Sequence, residues 1–188
     1  MSRTEAGTGR RRLLIIGYGN EWRGDDGAGP AVVRELSGQT LRPEVQTIVC
    51  RQLLPEIADD VSRATCVYFV DADAATEAGQ IRVRRLSRPR GIISDHDDSS
   101  MPPPIAELFG HRWSPRSILR LAHDIYGRVP HARLYTVGVE QIDEEATLSG
   151  VVRASVDRLV ERWLRRFALP PSFPVDDRPR PFENSSTS

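Results

Sequence analysis

The stretch RLLIIGYGNEWRGDDGAGPAVVREL, residues 12–36, decides the fold. Residues 12–16 are a short apolar run that stops at Gly17, the pattern of a buried strand. Residues 27–36 space their apolar side chains at three and four, which predicts a helix. Strand, glycine-rich turn and helix in succession form the first half of a parallel-sheet unit. Outward from it the alternation repeats. Strands are expected at 45–49, 66–70 (CVYFV), 80–86 (QIRVRRL, an edge or half-exposed strand) and 134–139. Helices are expected at 55–63, at 115–126 with Ser114 as cap and Pro115 in the first turn, and at 149–168. About five strands in a mostly parallel sheet covered on both faces follow, so the fold class is α/β. Working groups in such sheets lie beyond the carboxyl ends of the strands, here in residues 17–29, 71–74 and 140–144.

The 188 residues fit one domain: an N-terminal arm at 1–11, a globular body at 12–168 and a proline-rich tail at 169–188. All 26 basic side chains other than histidine are arginines, and 26 acids balance them. A neutral total argues against a general nucleic-acid or acidic-membrane binder. The apolar run ahead of Gly17 is too short for a signal peptide or a membrane span. Cys50 and Cys66 are too few for a disulfide scaffold or a zinc ribbon, and they read as reduced, buried thiols of a cytoplasmic chain. With four histidines and two cysteines, any metal site must lean on carboxylates.

The glycine-rich turn is not a nucleotide loop. The third glycine of a dinucleotide fingerprint would fall on Trp22, and a chain without lysine cannot carry a phosphate loop. Asp25 and Asp26 also stand where an anion would sit. One of this pair is expected to cap the following helix, leaving the other for chemistry. Asp71 follows the most hydrophobic strand; a carboxylate there is a turn or cap residue, or else a group held charged by a cation. Asp26 and Asp71 converge if their strands are neighbours. Among the histidines, His111 precedes the Ser114 cap and can point back over the sheet. His96 lies in the hydrophilic SDHDDSS, His123 is expected in core or groove packing, and His131 in an exposed turn.

GYGNEWRGDDGAG (17–29), QLLPEIADDVSRATCVYFVDADA (52–74) and HRWSPRSILRLAHDIYGRVPHARLYTVGVE (111–140) together resemble the hydrogenase maturation endopeptidases. These enzymes remove a C-terminal peptide from the large-subunit precursor of nickel-iron hydrogenases after nickel insertion. The resemblance implies a three-layer α/β/α sandwich, and a monomer. It implies Asp26 and Asp71 as catalytic and metal-site carboxylates and His111 as the third ligand, with His96 as the alternative. It implies that nickel is carried by the precursor, with other divalent ions as substitutes, and that the partner is this precursor rather than nucleic acid or membrane. The segment 87–110, with its PPP run, is a candidate for partner choice or a tolerated insertion.

Overall fold

The computed structural model describes residues 12–87, 113–140, 142–143 and 147–170. In chain order they form β1 (Leu13–Tyr18), a 3-10 turn (Gly24–Gly27), α1 (Ala28–Ser37), β2 (Val45–Cys50), α2 (Ile57–Arg63), β3 (Cys66–Asp73), β4 (Ile81–Leu86), α3 (Pro115–Tyr126), β5 (His131–Gly138) and α4 (Gly150–Phe167). The sheet order is β2-β1-β3-β5-β4. The first four run parallel, and β4 closes one edge antiparallel to β5.

The period-two alternation of β1 and β3 sends their side chains to two separate cores. Ile15, Tyr68 and Val70 face α1 and α4, where they meet Val33, Leu159 and Trp163. Leu14, Ile16, Val67 and Phe69 face α2 and α3, where they meet Val61, Ile118 and Leu119. Near-continuous apolar strands are what a sheet buried on both faces requires. The three-layer α/β/α arrangement expected from the sequence is therefore present.

Two strands run three residues beyond their apolar cores. β3 continues through Asp71 to Asp73, with Asp71 level with Thr136 of β5, so Asp71 belongs to the strand and does not follow it. β5 begins at His131, because pairing with β3 imposes extended structure on the polar His131–Arg133. α3 starts as its sequence predicts, with Ser114 Oγ accepting from Ser117 N–H at 3.1 Å, and it stops at Gly127. Ser149 caps α4 in the same way, Val152 N–H donating to its hydroxyl at 3.4 Å. The expected tail gives up its first residue to the fold, since Leu169 N–H donates to Thr40 O at 2.9 Å. Residues 1–11 and 171–188 lie outside the described residues.

Candidate active site

Because β1 and β3 are adjacent and parallel, the loops that leave their carboxyl ends meet at a common edge of the sheet. The glycine-rich loop after β1 folds back on itself tightly. Gly19 has φ 141°, and a Cβ there would lie 2.0 Å from Asp26 O. A Cβ on Gly29 would lie 2.4 Å from Val70 O and 2.6 Å from Tyr18 O. The glycines thus let the start of α1 pack directly onto the strand ends, which is a different purpose from cradling phosphate.

This folding separates the two neighbouring aspartates, and neither caps α1: its N-cap is Gly27, without a side-chain bond. The capping expectation is overturned because both acids fall in the preceding 3-10 turn, whose geometry aims them elsewhere. Asp25 is fully buried and accepts from Ser149 N–H (2.7 Å), Ser149 Oγ–H (2.9 Å) and Glu140 N–H (2.9 Å). It ties the loop after β1 to the loop after β5 and to the N-terminus of α4, where a negative charge also suits the helix dipole. Asp26 accepts from Asn20 N–H at 2.9 Å and faces a cavity.

That cavity, of about 730 Å³, contains Asp26 and Asp71 together. The convergence read from the sequence is realised. Burial pushes the Asp71 carboxyl up to about 6, with the charge of Asp26 adding to the rise, while a hydrogen bond from the Tyr18 hydroxyl opposes it. The Tyr18 hydroxyl is in turn held well above its ordinary range by burial and by Asp71, so it remains a donor. The pair thus offers one carboxylate held by a backbone N–H and one poised to exchange a proton near neutrality. Of the third predicted segment, after β5, Glu140 supports the site through Asp25, and its described residues do not line the cavity.

Several wall residues escaped sequence reading. Arg51 and Leu53 come from the turn after β2, and Trp113 and Ser114 from the entry to α3. Trp22, which in the sequence only argued against a dinucleotide fingerprint, is 75% exposed at the cavity. Arg23 also lines it, and its Nε is buried with no hydrogen-bond partner. Loops from three parts of the chain supply these groups, and no local pattern announces them. Only Asp26 and Asp71 carried a signal, a charged residue closing an apolar strand–turn unit.

His111 and His96 lie outside the described residues, as do the candidate partner-contact positions 88–110. Among the described residues no group of three His, Cys, Asp or Glu side chains is placed to hold a metal ion, so the aspartate pair would need a further ligand. His123 is half-buried on α3 rather than in the core, its side chain 41% exposed and 3.0 Å from Asp124. His131 is exposed as expected, but in β5 rather than a turn. Both cysteines are free and half-buried, and burial pushes both thiols up, the opposite of an activated nucleophile. Among the described residues no helix is long and apolar enough to cross a membrane.

No protein-family model matches the chain, and no curated protein matches it in sequence. Solved structures do. The chain is similar to a NiFe hydrogenase maturation protease, HycI, from Thermococcus kodakarensis, with a TM-score of 0.63 and 20% identity over 84% of this chain and 93% of that one. It is similar to the hydrogenase maturating endopeptidase HybD from E. coli, with a TM-score of 0.60 and 20% identity over 82% and 90%. A hydrogenase 2 maturation peptidase from a Thaumarchaeota archaeon gives a TM-score of 0.57 and 25% identity over 82% and 97%. The family resemblance carried by the sequence motifs thus recurs among the structures that share this fold.

Proposed function

We propose that this protein is an endopeptidase of hydrogenase maturation, which removes the C-terminal peptide from the nickel-loaded precursor of a nickel-iron hydrogenase large subunit. The observation that carries the reading is the convergence of Asp26 and Asp71 in one open cavity at the carboxyl end of the sheet. The solved structures that share the fold support it, being hydrogenase maturation proteases. Nickel enters with the precursor, as part of the substrate, and is recognised by Asp26, Asp71 and His111. Two carboxylates and one imidazole suit a borderline divalent ion and leave open positions for the precursor's own ligands. A divalent ion so held supplies Lewis acidity at the scissile carbonyl. Asp71, hydrogen-bonded by Tyr18, takes the proton from the attacking water and returns it to the leaving nitrogen. Trp22, Leu53 and Trp113 give the precursor's flanking residues apolar walls.

Purified protein mixed with nickel-loaded and nickel-free precursor, followed by mass spectrometry, tests the reading. Only the loaded form is expected to lose its C-terminal peptide. Asp26→Ala, Asp71→Ala and His111→Ala are each expected to reduce cleavage at least about a thousandfold, the scale of losing a participant in the chemistry. Wild-type cleavage by a folded Asp71→Ala protein would overturn the assignment. Retained cleavage in His111→Ala with loss in His96→Ala moves the third ligand to His96. Binding of loaded precursor without cleavage by the wild type identifies a docking module instead.

A further inference from the structure

A second cavity, of about 680 Å³, lies at the end of the sheet opposite the aspartates and on the α1/α4 face. Its polar walls are Arg85 of β4, Ser87 just after it, Arg133 and His131 of β5, and Cys66 and Tyr68 of β3; among the described residues no acidic side chain lines it. Arg85 and Arg133 are direct partners in the β4–β5 ladder. Like charges placed opposite one another in a sheet repel, and no described ion pair relieves either of them. The Arg133 guanidinium sits 5.9 Å from the centroid of the Tyr68 ring. Phe167, whose centroid is 6.4 Å from that of Tyr68, carries Arg166 at 5.6 Å. Two guanidinium groups, those of Arg133 and Arg166, thus lie over two adjoining rings, and Arg85 stands opposite Arg133 in the ladder. We propose that this cavity is a docking site for an acidic peptide segment of a partner protein, with Arg85 and Arg133 receiving its carboxylates. Guanidinium forks match carboxylates in bidentate fashion, and an open trough suits an extended segment. β4 is moreover an edge strand, paired on one side only among the described residues, so peptide backbone can align beside it. The inference is independent of proteolysis, because none of these residues lines the aspartate cavity.

The test uses the full chain and a fluorescein-labelled hexaglutamate peptide, read by fluorescence anisotropy. Saturable binding is expected, weakening at least about tenfold between 50 and 500 mM salt as exposed charges are screened. Arg85→Gln/Arg133→Gln is expected to weaken it at least about tenfold, the loss of one charged hydrogen bond or more. Arg85→Glu provides an internal control: it sets a carboxylate opposite Arg133, so it should abolish binding while raising the melting temperature. Absence of binding, or binding that both variants leave unchanged, overturns the proposal. Complete displacement of the peptide by inorganic phosphate at equal concentration also overturns it, and points to a small-anion site. Failure here leaves precursor cleavage untouched, and failure of cleavage leaves the anisotropy result standing.

Discussion

Asp71 carries the sharpest residue-scale consequence, because its burial sets function against stability. Its carboxyl rises from 3.8 to about 6 on folding, so between those values the folded state binds more protons than the unfolded one. The contribution of Asp71 to the stability of the metal-free protein should be fullest below pH 4 and be lost through pH 6, by about 3 kcal/mol, since a tenfold change in proton affinity is worth about 1.36 kcal/mol. Asp71→Asn should flatten that slope and stabilise the protein at pH 7 by about 1–3 kcal/mol while cleavage is lost. Urea denaturation in EDTA across pH 4–8 measures it, and an unchanged slope refutes the burial account. Asp25 predicts the reverse. Asp25→Ala orphans two backbone donors, Ser149 N–H and Glu140 N–H, and should cost about 3 kcal/mol by the same denaturation. The sequence showed that these two neighbours, Asp25 and Asp26, differ in role but not how they differ. Asp25's principal partner is 124 positions away, and no local pattern encodes such a separation.

Elements were more legible than contacts, since periodicity reports burial directly. RLLII, CVYFV and the Ser114-Pro115 start each announced an element that the structure contains. The missed ends have one cause: Asp71–Asp73 and His131–Arg133 are polar, and only their pairing within the β3–β5 ladder holds them extended. The glycine-rich turn was legible as a turn, whereas its packing against Val70 was not, because that contact depends on β3 lying beside β1. It yields an element-scale prediction. Gly29→Ala drives a methyl group into two carbonyl oxygens across the α1–β1 joint. An overpacked joint of this kind should cost about 3 kcal/mol and displace Asp26, so melting temperature and cleavage should fall together. A soluble Gly29→Ala protein with native melting and cleavage would show that the joint can yield.

At the scale of the whole molecule, the two cores are separated by the sheet and share no side chain. Ile15→Val in one and Ile118→Val in the other should each cost about 1 kcal/mol and add to within about 0.5 kcal/mol in the double variant. Two separate unfolding transitions would contradict a single cooperative body. The reversed direction of β4 has a different bearing on the chain as a whole. Leu86 is level with Ala132, near the start of β5, whereas Trp113 stands at the aspartate cavity beyond its far end. Those two points are apart by about the length of β5, whose eight residues span roughly 25 Å. About eight extended residues bridge such a distance. The sheet's topology therefore asks no more than that of any connection from Leu86 to Trp113, and leaves the rest of its length unspecified.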